Sequence, residues 1–261
     1  MTAPCPAELV AFGERLADAA GEIVRRYYRR PVQVDDKPDS SPVTIADRET
    51  EAAMRRLIAE TYPAHGIIGE EHGAQRPDAD HVWVIDPIDG TRSFVAGRPL
   101  FGTLLALVRD GRPILGIIDQ PILRERWVGA AGRATTCNGV AVRVRPCPGL
   151  ADALLSTTSP HMFLGGRAAA WERVRRRCRM VVYGGDCYQY GLVASGCIDL
   201  VVEATLHVHD FMPLVPVIEG AGGVVSDWNG APLSLSSGDA ILAAGDRRTH
   251  AAALAALAGQ D

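Results

Sequence analysis

The string DPIDGTRSF at positions 86–94 constrains the fold of this chain more than any other feature. It follows the apolar run 81–85, which predicts a buried strand. Two carboxylates three residues apart at a strand end suit a hard cation, because carboxylate oxygens are ligands that Mg²⁺ prefers. The Gly-Thr pair that follows opens a turn at a helix start, where backbone N–H groups bind phosphate. Pro87 disfavours continued strand pairing. The string therefore predicts a strand end, a turn and a site for a cation beside an anion.

Length and composition limit the classes of protein that this chain can belong to. Its 261 residues are 47% hydrophobic and 22% charged, which is ordinary globular composition and allows one large domain or two packed halves. A net charge of −4 argues against a general nucleic-acid binder. No apolar run reaches the roughly 18 residues of a membrane span, and no secretory signal opens the sequence. We expect a cytoplasmic protein with neither nucleic acid nor membrane as a partner.

The cysteines do not form a recognisable metal or disulfide pattern. No pair has C-x-x-C spacing, and no cysteine-histidine cluster has zinc spacing. We therefore expect free thiols in a reducing compartment. The six cysteines are Cys5, Cys137, Cys147, Cys178, Cys187 and Cys197.

The first half of the chain predicts two helices followed by antiparallel strands. Apolar residues at helical spacing predict a helix from about residue 6 to 29. A second helix is predicted over 44–60, with Thr44 as N-cap and Asp47 as the third-position acid of a capping box. Asp110-Gly111 separates two apolar runs, which is a hairpin signal. We predict an α+β N-terminal half over 1–133.

The second half predicts alternating strands and helices. Strands are predicted at 153–156, 180–183, 198–203, 224–225 and 241–244. Helices are predicted at 166–177, near Asp186, near Asp210 and at the end of the chain. This alternation is typical of an α/β fold. We therefore predict a C-terminal α/β half over 134–261.

Two further acidic segments accompany the string at 86–94. Glu70-Glu71 lies upstream, and His209-Asp210 lies far downstream. A phosphate monoester is doubly charged and resists attack by water, and two or three Mg²⁺ ions can neutralise it and activate the water. Such a site needs acids that converge from different segments. Four acids at predicted strand ends or helix starts qualify, namely Glu70, Asp86, Asp89 and Asp210.

The acid pair, the DPIDGT string and the late aspartate, in this order, resemble the inositol monophosphatase superfamily of Mg²⁺-dependent phosphomonoesterases. The resemblance runs from about Lys37 to about Asp227. It implies a layered αβαβα sandwich of the inositol monophosphatase and fructose bisphosphatase type. It also implies two to three Mg²⁺ ions, a small phosphate ester as substrate, and a homodimer.

The resemblance also implies roles for individual residues. Glu70 resembles the carboxylate of the catalytic metal and Asp86 the bridging ligand. The metal ligands implied are Glu70, Asp86, the backbone carbonyl of Ile88, Asp89 and Asp210. Thr91 and Asp47 resemble the pair that orients the attacking water, so that the implied catalytic residues are Asp47, Glu70 and Thr91. The phosphate would be held by Gly90 and Thr91 amides and by Lys37, whose loop matches the family pattern only loosely.

Structural alternatives stand beside several of these roles. Asp47 can act as a capping-box acid alone, and Asp210 can be an N-cap. Glu71 stays ambiguous, because one residue of an adjacent pair usually faces away. His207 and His209 are expected to pack, since Mg²⁺ prefers oxygen ligands.

Three segments resemble the bacterial histidinol-phosphatase branch of the superfamily. They are 95–103, then 118–121 followed by 125–127, and then 184–191 followed by 199–203. Inositol phosphatases generally carry a small uncharged residue where Asp186 stands. A carboxylate there would favour a cationic substrate by a charge-assisted hydrogen bond worth roughly 1.5–3 kcal/mol. Glu203 and Arg92 are further predicted substrate contacts, and the alternative for Asp186 is a helix cap.

The sequence thus predicts Mg²⁺-dependent hydrolysis of L-histidinol phosphate to L-histidinol and phosphate, a step of histidine biosynthesis. The first alternative is an inositol 1-monophosphatase or a broad phosphatase of sugar and inositol phosphates. The second is a non-catalytic protein that binds a phosphate ligand. That alternative predicts the loss of an acid, and the sequence lacks none.

Overall fold

Two long helices open the chain, for which the structure, a computed structural model, describes residues 4–36 and 42–260. Helix α1 is Ala7–Tyr27 and helix α2 is Ile45–Thr61, and the two pack against each other. The Thr44 hydroxyl accepts the Ala46 N–H at 3.1 Å, and the Asp47 carboxylate accepts the Thr44 N–H at 2.8 Å. Both predicted helices and the predicted capping box are confirmed.

A short hairpin and an eight-stranded sheet follow in the described residues. Strands β1 (Val34–Asp36) and β2 (Pro42–Thr44) pair with each other. The larger sheet has the order β10-β9-β8-β7-β6-β5-β3-β4, and all its neighbouring pairs are antiparallel except β3 with β5. Its strands are β3 (Gly66–Gly69), β4 (Gly73–Gln75), β5 (His81–Asp89), β6 (Gly102–Arg109), β7 (Arg112–Gln120), β8 (Glu125–Ala130), β9 (Thr136–Cys137) and β10 (Val140–Ala141).

Two features of this sheet test the sequence predictions. Asp110 and Gly111 both have positive φ in the β6–β7 turn, which confirms the hairpin. The expectation that Pro87 disfavours strand pairing is confirmed, because the pairing of β5 with β6 skips Pro87 and Ile88 and its register shifts between Asp86 and Asp89. The strand itself does not end there, because β5 extends to Asp89.

A five-stranded mixed sheet forms the second layer of strands in the described chain. Its order is β12-β11-β13-β15-β14, parallel across the first three strands and antiparallel across the rest. The strands are β11 (Leu154–Thr157), β12 (Met180–Tyr183), β13 (Leu200–Glu203), β14 (Val224–Asp227) and β15 (Ile241–Ala244). The remaining helices are α3 (Thr91–Val95), α4 (Gly166–Arg175), α5 (Tyr188–Ala194), α6 (Val208–Phe211), α7 (Leu214–Gly220) and α8 (Arg247–Ala258).

Five layers result from the packing of these elements. Helices α1 and α2 cover the outer face of the large sheet, with Trp83 and Phe12 in the core between them. Helices α5, α6 and α7 lie between the two sheets, where Trp127 and Tyr190 are buried. Helices α4 and α8 cover the far face of the small sheet. The order is αβαβα, and the predicted fold class is confirmed.

Three further predictions concern the cysteines, the boundary between the two halves and the membrane. All six cysteines are free thiols, as expected. Strands β9 and β10 lie beyond residue 133 yet pair with the first sheet, and the division into halves at that position stays a prediction. Along the described ranges, no helix combines the length and apolar character that crossing a bilayer requires.

A stack of aromatic rings lies at the start of β5 and contains two histidines. The His65 ring stacks between Tyr62 and His81, with centroids 4.5 Å and 5.0 Å away. The Trp83 indole N–H donates to His65 Nδ1 at 3.1 Å, which requires that this nitrogen be unprotonated. Burial, and then the charge of His81, lower the pKa of His65.

We predict that His65→Gln weakens the loss of stability in acid. A histidine whose pKa is lowered by folding adds stability above its unfolded pKa of about 6.5, and that contribution is lost as pH falls toward the folded value. The wild type should therefore lose more free energy of unfolding between pH 7.5 and 5.5 than the variant. Urea titrations at both pH values measure this. Tyr62→Phe keeps the stack and should follow the wild type; an equal loss in all three proteins would contradict the prediction.

Candidate metal and phosphate site

Four acidic side chains from three separate elements converge on one cleft of 490 Å³. The end of β5 contributes Asp86 and Asp89, the turn after β3 contributes Glu70, and α6 contributes Asp210. All four line the cleft. The structure thus brings together the four carboxylates that the sequence predicts as metal ligands.

The distances within this cluster are those of a group that can share cations. Asp86, Asp89 and Asp210 each offer a carboxylate oxygen within 4.8 Å of the others. Glu70, Asp86 and His209 form a second such group, again within 4.8 Å. Asp86 belongs to both groups, which is the position that a bridging ligand requires.

The burial and mutual repulsion of these carboxylates favour a bound cation. Burial raises the pKa of Asp86 well above its ordinary value, and the charges of Glu70, Asp89 and Asp210 raise it further. Burial raises the pKa of Asp89 in the same way, followed by the charge of Asp210. Like charges in a desolvated place disfavour ionisation, and a divalent cation reverses this. A carboxylate-rich set fits Mg²⁺.

Hydrogen bonds fix the irregular segment at the end of β5. The Ile88 N–H donates to Asp86 Oδ1 at 3.0 Å, which holds that carboxylate against its own backbone. The Thr103 hydroxyl donates to the Pro87 carbonyl at 2.8 Å. Ile88 lines the cleft, and the role of its carbonyl as a metal ligand stays a prediction.

Asp47 and Thr91 form the pair that the sequence predicts to orient water. The Thr91 hydroxyl lies 3.3 Å from Asp47 Oδ1 and 3.1 Å from the Ile88 carbonyl, and its single proton can be donated to either acceptor. The other Asp47 oxygen accepts from the Thr44 N–H and hydroxyl. Asp47 is fully buried, and burial raises its pKa. It therefore caps α2 and contacts Thr91 at once, so that capping and orientation do not exclude each other.

The predicted phosphate site is the start of α3. Gly90, Thr91 and Arg92 line the cleft, and the first N–H groups of a helix have no acceptor within that helix. Arg92 is exposed at the cleft. Lys37 lies outside the described residues, so its role stays a prediction.

We predict that Gly90→Ala disables the site. Gly90 has φ 85°, and a Cβ there would lie 2.8 Å from Asp186 Cγ. Positive φ costs an alanine roughly 1–2 kcal/mol, and the contact would also displace Asp186 or the phosphate-binding amides. Gly111→Ala is the matched control, because Gly111 has φ 72° and nothing within 4 Å. The melting temperature should fall for both variants, and further for Gly90→Ala because of the added contact, while turnover should be lost only for Gly90→Ala. Equal activity of the two would contradict this.

Asp186 lies where the cleft meets a smaller chamber of 130 Å³. Its Oδ2 accepts the Ser93 hydroxyl at 2.5 Å. The alternative that Asp186 only caps α5 is not supported, because the Cys187 N–H at that helix start donates to Asp89 Oδ2 at 2.6 Å instead. Burial raises the pKa of Asp186, against the lowering effect of the Arg98 and Arg92 charges.

Glu203 lies in the smaller chamber with both carboxylate oxygens already bonded to the protein. It accepts the Thr158 N–H and the Tyr190 hydroxyl, each at 2.8 Å. The side chain is buried, and burial raises its pKa. A substrate contact by Glu203 stays a prediction; the observed bonds show that it anchors the chamber wall.

The structure corrects one expectation around Asp210 and adds to another. Helix α6 begins at Val208 after His207, so that Asp210 is its third residue and not its N-cap; its Oδ2 accepts the His207 N–H at 2.7 Å. The His207 and His209 rings stack on each other, with centroids 5.3 Å apart, in agreement with the expectation that they pack. His209 also places a ring nitrogen beside Glu70 and Asp86. Burial raises the pKa of Asp210, while the nearby His209 charge lowers it.

Sequence reasoning missed several residues that shape the site. Thr158 and Thr205 line both cavities, and Thr205 has φ 64°. Glu51 in α2 holds the turn that carries Glu70. None of them falls in a recognisable motif. Only Ser93, inside the string at 86–94, had a signal that could have identified it.

Comparison with known proteins agrees with this geometry. Residues 6–260 match the profile of the Inositol monophosphatase family. Bifunctional phosphatase IMPL2, chloroplastic, of Arabidopsis thaliana is 50% identical over 95% of this chain and 74% of its own length. Histidinol-phosphatase of Chlorobaculum parvum is 34% identical over 88% of this chain and 89% of its own. A solved inositol monophosphatase from Zymomonas mobilis is 48% identical with a TM-score of 0.90, covering 97% of this chain and 100% of that one. The chain is thus a phosphatase of the inositol monophosphatase family, whose enzymes use Mg²⁺.

Proposed function

We propose that this phosphatase hydrolyses L-histidinol phosphate to L-histidinol and inorganic phosphate. The observation that carries the proposal is the Asp186 carboxylate, which lies between the acid cluster and the chamber. L-Histidinol phosphate carries an ammonium group and an imidazole, whereas inositol phosphates carry only hydroxyls beside the phosphate. A partly desolvated carboxylate beside the leaving group favours the cation.

The residues of the cleft divide the work of phosphate ester hydrolysis. Glu70, Asp86, Asp89 and Asp210 would hold the Mg²⁺ ions, which neutralise the phosphate and activate water when bound. The start of α3 binds the phosphate oxygens through backbone N–H groups. The Thr91 hydroxyl, held by Asp47, accepts a proton from the attacking water as its own proton moves toward Asp47.

The chamber supplies the place for the alcohol part of the substrate. Met162, Leu206 and Tyr190 contribute to the walls of this 130 Å³ chamber, and Asp186 lies at the side toward the cleft. The remaining acidic residues of its lining are Asp89, Glu203 and Asp210. A flat heterocycle finds apolar contact there while its cationic group meets the carboxylate. Hydrolysis adds the elements of water across the P–O bond, so that histidinol leaves as the alcohol and phosphate as the second product.

A second candidate is the hydrolysis of inositol 1-phosphate. It is favoured by the 48% identity to the Zymomonas mobilis inositol monophosphatase and by the word bifunctional in the name of the Arabidopsis relative. The relative from Chlorobaculum parvum, named a histidinol-phosphatase, favours the first candidate.

The test is phosphate release by the purified full chain from L-histidinol phosphate and from inositol 1-phosphate, with Mg²⁺ and with a chelator. The proposal expects Mg²⁺-dependent release and a higher kcat/KM for L-histidinol phosphate. Equal values would leave a broad phosphatase, and a higher value for inositol 1-phosphate would overturn the substrate assignment. The homodimer expected from the resemblance stays a prediction, which analytical ultracentrifugation tests.

A further inference from the structure

Glu51 is a fully buried carboxylate that lies outside the cleft and yet contacts the turn that carries Glu70. Its side chain comes from the middle of α2. Oε2 accepts the N–H of Glu71 at 2.7 Å, and Oε1 accepts the N–H of His72 at 3.1 Å. Both donors are backbone groups of the turn that directly follows Glu70. Glu51 therefore organises this turn much as an anion organises a nest of amides.

Two cationic or polarisable groups complete the surroundings of Glu51. Arg55, one turn further along α2, donates from Nε to Oε1 at 2.7 Å and also donates to the Gly73 carbonyl. His72 Nδ1 lies 3.3 Å from the same oxygen. A buried carboxylate is costly unless it is paired and hydrogen-bonded, and here both oxygens are satisfied. The chain thus maintains a buried carboxylate at this place that bonds to the turn after Glu70 and to Arg55, which in turn bonds to Gly73 at the end of that turn.

The turn is also fixed from the opposite side. The Glu70 N–H donates to the Ile85 carbonyl at 3.3 Å, one residue before Asp86. A Cβ on Gly69 would lie 2.2 Å from Glu51 Oε1, so the carboxylate packs directly on the backbone that precedes Glu70. Glu70 is therefore held between β5 and the Glu51 carboxylate.

We infer that Glu51 is a positioning residue for the metal cluster. It keeps the Glu70 carboxylate beside Asp86, where the two like charges oppose each other until a cation binds. A turn held in this way does not have to be ordered when the metal arrives, which favours binding. Groups that orient metal ligands typically contribute about 10- to 100-fold in metal affinity. The inference rests on the Mg²⁺ dependence of the proposed function.

The test is the Mg²⁺ affinity of Glu51→Gln, measured by isothermal titration calorimetry on the purified, metal-free full chain. Gln keeps the shape but has one acceptor oxygen, and its NH₂ group then faces a backbone N–H donor. We expect the dissociation constant for Mg²⁺ to rise about 10-fold or more. Glu60→Gln, an exposed change on the same helix, should bind Mg²⁺ like the wild type.

A second readout separates positioning from a merely structural role. A structural role would lower the melting temperature equally with and without Mg²⁺ and leave the dissociation constant unchanged, which would overturn the inference. Positioning reduces the rise in melting temperature that Mg²⁺ produces. If Glu51→Gln does not fold, Arg55→Met is the second variant, because it removes the partner of Glu51 at the edge of the turn. Arg55→Met should also weaken Mg²⁺ binding. An unchanged Mg²⁺ affinity in this variant would overturn the inference. A wild type that binds no Mg²⁺ would overturn the metal assignment itself.

Discussion

Asp86→Asn is expected to lose Mg²⁺-dependent turnover and, without metal, to become more stable than the wild type. Asp86 belongs to both groups of candidate ligands, so that its neutral isostere weakens both metal positions. Because partners that only orient ligands already contribute about 10- to 100-fold, the loss for a direct ligand should exceed about 100-fold in kcat/KM. Phosphate release at saturating Mg²⁺ measures this loss.

The gain in stability follows from the same charges. Burial and the charges of Glu70, Asp89 and Asp210 raise the pKa of Asp86 in the folded chain. A carboxyl whose pKa is raised by folding is best accommodated when protonated. Its contribution is fully present below the unfolded value of about 3.9 and is lost as pH rises through the folded value. Metal-free wild type should therefore be destabilised at neutral pH, and the Asn variant less so.

Urea unfolding with a chelator at pH 5 and pH 8 measures this difference. The wild type should lose more free energy of unfolding between the two values than Asp86→Asn, and Mg²⁺ should restore stability to the wild type alone. Asp110→Asn is the control, because the Asp110 side chain is 93% exposed in a hairpin where Asn also tolerates positive φ. A variant that keeps Mg²⁺-dependent turnover, or that is less stable than the metal-free wild type, would contradict the metal assignment.

Local pattern accounts for most of what the sequence could predict of the fold. The helical spacing before residue 29, the Thr44 and Asp47 capping box and the Asp110-Gly111 turn all depend on neighbours in the chain, and all three are confirmed. The extension of β5 to Asp89 was not predictable in this way. It involves the adjacent strand β6, whose Thr103 hydroxyl donates to the Pro87 carbonyl within the shifted segment.

The residues of the candidate site also fall into two groups: those that a local string identifies and those that only long-range packing brings into place. The acids were identified because they stand in recognisable strings, and the structure brings them together. The contact between Asp89 and the start of α5 joins residues 98 positions apart, and the contact between Glu51 and Glu71 joins residues 20 apart. Neither leaves a pattern in one sequence, because it arises only when the layers pack. Long-range packing therefore decides which acids bind a ligand and which hold another element.

Asp186→Asn is expected to reduce the preference for L-histidinol phosphate over inositol 1-phosphate by about 10- to 100-fold. A charge-assisted hydrogen bond contributes roughly 1.5–3 kcal/mol, and each 1.4 kcal/mol corresponds to about a tenfold change in the equilibrium constant. The amide keeps the shape beside Gly90 and can still accept the Ser93 hydroxyl. The loss should therefore come from charge.

A comparison of the two esters distinguishes the loss of cation recognition from general damage to the site. Inositol 1-phosphate offers no cation, so its kcat/KM should change little in Asp186→Asn, while that of L-histidinol phosphate falls. Ser93→Ala removes the hydroxyl that holds Asp186 and leaves the charge, so it should reduce the preference by a smaller factor. A parallel fall for both esters would mean that Asp186 supports the phosphate site through Gly90. An unchanged ratio would mean that the chamber selects its substrate by shape, through walls such as Met162 and Leu206, and that the carboxylate has no part in recognising the cation.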